Sequence, residues 1–370
     1  MGLFQQPGKD RAVVSRIDSF LQLVVGQNGS DLHLVAGNPP RIRIHGEMFP
    51  VKYRALDTAE ASDLIAETMS DQVRRAFEER HSLDYAYEVA GLARFRVNAF
   101  RHLGGLGAVF RVIRTKIQTL DELGMPPVLK TFCKQRRGLV LVTGPTGSGK
   151  STTLAAMVDF INEDRREHIV TIEDPVEIVH TQKKCLISQR EIGLNTESFA
   201  AALRSSLRED ANVVLVGELR DLETIGLAVT AAETGILVLA TLHTSGAAAT
   251  VDRMVSVFPA AEQSLIRSML STSLCGVVSQ HLVRRADGKG MVAAVEVLVN
   301  NAAVANILRE GKTDLLASVI QSGALVGMQT MDSSLRRLLD AKLITGSEAY
   351  RKASNKAAFE QFRERDVETA

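Results

Sequence analysis

The run Leu139-Val140-Leu141-Val142-Thr143-Gly144-Pro145-Thr146-Gly147-Ser148-Gly149-Lys150-Ser151-Thr152 decides the fold. Its first part is an unbroken apolar, β-prone segment, which predicts a buried strand over residues 139–143. Its second part, Gly144 to Ser151, matches GxxxxGK[ST], and a helical pattern follows over residues 151–162. Strand, glycine-rich turn and helix N-terminus in that order make a phosphate cradle. The glycines let successive N–H groups turn inward, and the helix end adds its positive dipole. In such a cradle Lys150 reaches the β- and γ-phosphates and the Ser151 hydroxyl binds Mg2+. Gly144, Pro145, Thr146, Gly147, Ser148, Gly149, Lys150, Ser151 and Thr152 are therefore the candidate binding set, with ATP and Mg2+ as expected ligands. A glycine-rich turn with a chance Lys-Ser is the alternative, and the flanking strand and helix disfavour it.

Towards the C-terminus, apolar strands and helices alternate as a parallel sheet with crossover helices requires. Strands are predicted at 168–172, 213–216 and 236–242, with helices at 198–207 and 222–233; beyond about residue 300 the pattern is helical. Towards the N-terminus the pattern is different. Residues 13–25 carry helical spacing, 31–35 read as a strand, and 41–45 alternate basic with apolar up to the turn at Gly46. Asp57 and Glu60 look like a capping pair opening a helix through Ile65 and Met69, and a second helix is predicted at 71–80. Strands at 85–89, 93–100 and 107–113 complete a mixed sheet with helices. The chain is thus expected to be α/β in two domains, 13–113 and 123–370, with a loose tail over 1–12 and a linker over 114–122.

With 370 residues, two cores are expected. Lys and Arg total 44 against 43 Asp and Glu, a formal charge of +1, and Trp is absent. Neither the field nor the aromatic stacking surface of a nucleic-acid binder is present, so no nucleic-acid partner is expected. Three cysteines without a CxxC spacing disfavour a disulfide framework and a cysteine-rich zinc site, and fit a reduced cytosolic protein. The longest strong apolar run, 236–242, has strand length, so no membrane span is expected. The start of the chain lacks the apolar core of a signal peptide.

Hydrolysis needs an acid near the γ-phosphate to handle the attacking water. Val213-Val214-Leu215-Val216-Gly217-Glu218 is an apolar strand ending in a carboxylate, in the layout of a Walker B segment; a solvated glutamate in a βα loop is the alternative. Thr171-Ile172-Glu173-Asp174-Pro175-Val176-Glu177 places acids at another strand end, where helix capping by Asp174 is the rival reading. His243 follows the strand 236–242 and would stand at the same edge of the sheet, able to donate to a phosphate or sense its loss. In the first domain Arg94 and Arg96 occupy alternate positions of one strand and Arg111 lies on the next, so one face carries guanidiniums fit for an anion. Pairing with Asp84 and Glu88 is the alternative.

TGPTGSGKSTT, TIEDPVE, LREDANVVLVGELRD and AAETGILVLATLHT, in this order, closely resemble the secretion ATPase superfamily and, within it, the retraction ATPases of type IV pili, the PilT/PilU group. SDLHL at 30–34, GLARFRVNAF at 91–100 and GMQTMD at 327–332 extend the resemblance over nearly the whole chain. It implies a PAS-like N-terminal domain, a RecA-like ATPase domain with a helical C-terminal extension, and a homohexamer that hydrolyses ATP to power pilus retraction and twitching motility. It further implies cytoplasmic action at the inner-membrane base of the pilus, on a platform protein there, with a paralogous retraction ATPase as a further partner. By the same resemblance Glu218 is the catalytic base, Glu173, Asp174 and Glu177 form an acidic box with Asp174 and Ser151 towards the metal, and His243 belongs to a histidine box. Arg94 contacts the nucleotide, and Arg96 and Arg111 act on the adjacent subunit's nucleotide. Absence of a tetracysteine motif separates the chain from typical assembly ATPases. Three departures stand out: Ile236 where the family has His, Ala211-Asn212 where it has Pro-Asp, and Ala305 where an AIRNLIRE signature has Arg. An accessory retraction role, or a related secretion or assembly role, is the alternative.

Overall fold

The computed structural model describes residues 15–44, 46–113 and 117–363. They fall into two units, Met1–Thr115 and Lys116–Ala370. The tail expected over 1–12, and residues 114–116 of the expected linker, lie outside the described residues.

In the first unit the order is α1 (Arg16–Gly26), β1 (Asp31–Val35), β2 (Arg41–Ile44), β3 (Glu47–Pro50), α2 (Thr58–Ala66), α3 (Asp71–Arg80), β4 (Ser82–Val89), β5 (Ala93–His102) and β6 (Gly105–Ile113). The strands form one sheet in the order β3-β2-β1-β6-β5-β4, and every pairing is antiparallel. Period-two alternation explains its two faces: Ala93, Phe95, Val97 and Ala99 are buried in the core with Leu32, Leu34 and Phe110, which leaves Arg94, Arg96 and Asn98 on the other face. The Asp57 carboxylate accepts from the Glu60 N–H at 2.8 Å, and Ser70 caps α3 in the same way, each cap adding roughly 1 kcal/mol.

The second unit runs α4 (Val128–Cys133), β7 (Gly138–Thr143), α5 (Lys150–Asp164), β8 (His168–Glu173), β9 (Leu186–Glu191), α6 (Phe199–Ser206), β10 (Val213–Val216), α7 (Leu222–Glu233), β11 (Leu237–Leu242), α8 (Ala247–Ser256), α9 (Gln263–Ser273), β12 (Leu274–Arg284), β13 (Met291–Val299), α10 (Ala302–Glu310), α11 (Leu316–Ser322), α12 (Met331–Asp340) and α13 (Gly346–Lys352). The sheet order is β13-β12-β7-β11-β10-β8-β9. All neighbours are parallel except the edge pair β12–β13. Central strands such as Val213–Val216 are buried at every position, as a sheet covered on both faces requires. One core lies under α6–α9 and the other under α4 and α5. The six strands β7–β12 are mutually parallel and end at one edge, and the loops there build the site. The three cysteines are free thiols, Cys133 and Cys185 being buried. Among the described residues no helix is long and apolar enough to cross a membrane.

Candidate nucleotide site

Thr143 ends β7, and the chain then turns through Gly144, Gly147 and Gly149 at φ values of +141°, +76° and +88°, which disfavour a side chain. At Gly144 space forbids one as well: a Cβ would lie 2.3 Å from the Gln280 carbonyl and 2.7 Å from Ser148 Oγ. This is the tight cradle the motif demands, and α5 begins at Lys150 directly after it. Lys150 Nζ donates to the carbonyls of Gly144 at 2.9 Å and Pro145 at 3.1 Å. Burial lowers its pKa, opposed by the carboxylates of Glu218 and Glu177.

Glu218 is held at the edge from both sides. The Gly217 N–H donates to the Ile172 carbonyl at 2.8 Å and the Leu219 N–H to the Thr241 carbonyl at 2.9 Å. Position 217 is glycine because a Cβ would come within 3.1 Å of the Ile172 oxygen, so the acid follows a glycine instead of closing the strand. Glu218 Oε2 accepts from Arg220 at 2.8 Å, and Oε1 lies 3.5 Å from His243 Nε2. The other ring nitrogen of His243 is 3.5 Å from the Thr146 hydroxyl, so this residue spans the base and the phosphate loop. Arg220 also approaches Asp174 at 3.8 Å.

Glu173 accepts from the Thr171 hydroxyl at 2.7 Å and from Gln189 at 3.3 Å. Burial pushes its pKa up to about 7 against those bonds. Edge strand β9 carries the supports of this acidic loop: Glu191 accepts the Val176 N–H at 3.0 Å, and Gln189 accepts the His180 N–H at 2.8 Å. Thr146, Lys150, Glu173, Glu218, Arg220 and His243, with Ser151, Thr152, Asp174 and Glu177, line one cleft of about 550 Å3.

Two residues in this arrangement escape sequence reasoning. Arg220 bridges two candidate acids, and the only local signal is a cation two positions beyond Glu218. Gln280, on β12 and 1% exposed, donates to the Ser148 carbonyl at 2.5 Å and accepts from Thr153 at 3.0 Å. It bolts the phosphate loop to the sheet, and a lone glutamine in the apolar stretch Leu274–Arg284 is its signal.

The first unit's arginines are placed on one face as expected, and the pairing alternative is also realised. Arg94 lies 3.8 Å from Glu88, Arg96 is 3.6 Å from Asp84, and Arg111 Nε donates to Asp31 at 2.8 Å. Arg96 and Arg111 are direct cross-strand partners. The Asp31 side chain is 4% exposed and that of Arg111 67%, so Arg111 is anchored at its root while its end faces solvent. At the departures from the family pattern, Ala211 is buried in the core and Ile236 packs against it, and the Asn212 side chain accepts the His168 N–H at 2.9 Å.

The family profile described as type II/IV secretion system protein matches residues 7–361. The chain belongs to this family. The chain is 52% identical over 337 residues to the type IV pilus retraction ATPase PilT of Pseudomonas aeruginosa, covering 91% of this chain and 98% of that one. To the type IV pilus ATPase PilU of the same organism it is 40% identical over 332 residues, covering 90% and 87%. A crystal structure of the pilus retraction motor PilT with bound ADP superposes with a TM-score of 0.88 at 40% identity, covering 94% of this chain and 99% of the other.

The loop bearing the acids has a pH signature. Burial drives the pKa of His180 down to about 4. Above pH 6.5 neither folded nor unfolded histidine is charged, so its contribution to stability is fully present. As pH falls from 6.5 towards 4 the unfolded state takes up a proton that the folded ring refuses, and stability is lost, by about 3 kcal/mol at the bottom of the window. Glu173 acts oppositely: folded it binds a proton near pH 7, unfolded only near 4.5, so it gains stability over much of the same range. Replacing His180 by Asn should therefore make the melting temperature, relative to the unmodified protein, rise steadily from pH 7 to 4.5. A constant offset between the two melting curves would contradict this.

Proposed function

We propose that the chain is an ATP-hydrolysing motor that powers retraction of a type IV pilus. The carrying observation is that a chain 52% identical to PilT over almost its whole length brings the phosphate loop, Glu218 and His243 into one cleft. The higher identity to PilT than to PilU favours the primary over the accessory role. Strand order β12-β7-β11-β10-β8 supports a RecA-like core, and the six-stranded antiparallel sheet flanked by helices supports a PAS-like first domain.

The residues fit their expected ligands. The glycine cradle, too tight for a side chain at Gly144, suits a polyphosphate, while the Ser151 hydroxyl and the carboxylate of Asp174 are hard oxygen donors of the kind Mg2+ prefers. Bound Mg2+ would neutralise charge on the β- and γ-phosphate oxygens. The loop N–H groups and Lys150 bind and orient the triphosphate, Thr152 flanking them. Glu218 accepts a proton from the attacking water, and His243 holds Glu218 and the loop in register. Arg220, bonded to Glu218 at 2.8 Å, must loosen for the base to reach water. Glu173 holds the acidic loop through Thr171 and Gln189.

The working form is a homohexamer, cytoplasmic and peripheral at the inner-membrane base of the pilus, acting on a platform protein there, with a paralogous ATPase as a further partner. Arg94, Arg96 and Arg111 meet the nucleotide of the neighbouring copy, whose γ-phosphate develops charge that one loop leaves uncompensated. Arg96→Ala and Arg111→Ala should each lower turnover by roughly 10²-fold or more while ATP still binds. Hydrolysis per subunit should rise with protein concentration as rings assemble; flat specific activity would remove the arginines from the mechanism. The cellular role is tested in a strain lacking the gene: this chain should restore pilus retraction. Restoration of extension alone would overturn the retraction reading.

A further inference from the structure

A small chamber of about 30 Å3 adjoins the nucleotide cleft and shares Ser151, Glu173 and Glu177 with it, and His180 also lines it. No role has been given to that histidine. It is 8% exposed, and its Nδ1 is buried without a hydrogen-bond partner. The backbone that carries the ring is held in place. The His180 N–H is held by Gln189, Gln189 is tied to Glu173 and to the Ile178 carbonyl, and the next carbonyl, of Thr181, accepts from Asn162 on α5 at 2.8 Å.

A buried ring nitrogen without a partner is rare in a folded protein and calls for a ligand. One water needs about 10–15 Å3 of such space and two to four polar partners. The chamber has the room, and the polar residues Thr241, Glu173 and Glu177 line it beside His180. Burial keeps the ring neutral, so Nδ1 can accept from water or donate to it, according to tautomer.

We propose that His180 is a positioning residue: it anchors ordered water in this chamber, and that water holds the Glu177 carboxylate towards Ser151, at the metal end of the cleft. This rests on the nucleotide-site reading above. Partners behind a metal's own ligands are typically worth 10–100-fold in metal affinity, and an effect of that kind would be felt in Mg2+ dependence and not in nucleotide affinity as such.

The test uses the full chain and calorimetric binding of ADP with and without Mg2+. His180→Phe fills the chamber and expels the water. It should raise the Mg2+ concentration needed for half-maximal tightening of ADP binding by roughly 10-fold or more while metal-free ADP binds as before. His180→Asn keeps a polar group and should recover most of the loss; if the Phe variant does not fold, His180→Leu carries the same expectation. A folded Phe or Leu variant with unaltered Mg2+ dependence overturns the proposal, as does a high-resolution crystal structure with a dry chamber. Failure of the unmodified protein to bind ADP in either condition would instead overturn the nucleotide-site reading.

Discussion

Glu218→Gln should leave nucleotide binding intact and lower turnover by roughly 10²–10⁴-fold. The amide keeps the shape of the side chain, and the two backbone bonds that hold residues 217 and 219 between β8 and β11 are untouched, so the loop has no reason to move. The lost property is basicity. Glutamine cannot take the water proton, and it cannot balance the guanidinium of Arg220, which pairs with Glu218 at 2.8 Å. Single-turnover phosphate release, measured beside equilibrium binding of a nucleotide, separates the two effects. Turnover close to that of the unmodified protein would shift the general base to Glu173. That acid is poorly placed for the role, since Thr171 and Gln189 already occupy one of its oxygens.

Lys150→Ala should weaken ATP binding by about 100-fold or more, because charge-assisted hydrogen bonds are worth about 1.5–3 kcal/mol each and each 1.4 kcal/mol is about tenfold in affinity. The ammonium now caps the carbonyls of Gly144 and Pro145, so its position along the loop is set before any phosphate arrives. Its pKa is lowered by burial, and the nearby carboxylates of Glu218 and Glu177 work against that shift. Calorimetric titration of ATP is the measurement, with a melting curve to verify that the loop's loss of a tether has not unfolded the domain. Affinity within a few-fold of the original would remove Lys150 from phosphate binding.

How much of this was legible in the sequence depended on whether each feature is local. The strand Val213–Val216 and the helix Leu222–Glu233 coincide with their predicted bounds, the first because it is uniformly apolar, the second because the Asp221 side chain caps it at Thr224. Glycine placement around Lys150 is equally local chemistry. Edge strand β9 was missed because Ser188, Gln189 and Arg190 are only half-buried and supply no apolar run. Strands β12 and β13 were missed too. In β12 the buried Ser279 and Gln280 break the apolar pattern, and β13 lies just before the stretch, beyond about residue 300, whose pattern is helical. Their polar groups are satisfied by residues distant in sequence, Gln280 by Ser148 and Thr153 and Ser279 by the Gly246 N–H. Arg220 and His180 belong to the same class: nothing beside them in sequence announces the carboxylates or the chamber that give them meaning.

The Gln280 bolt has one more consequence. Directly across the β12–β13 pair from Gln280 stands Val295, whose N–H donates to the Ser334 hydroxyl and whose carbonyl accepts from Gln329. Gln329 belongs to GMQTMD, and Ser334 lies on the helix that follows it. Two signatures nearly two hundred residues apart in the chain are thus separated by a single rung of backbone. A shift of the phosphate loop that preserves its bond to Gln280 must carry that rung, and with it the start of α12; a shift that spares α12 must first break a buried hydrogen bond. Displacements of the loop and of the C-terminal helices are thereby coupled through β12 and β13.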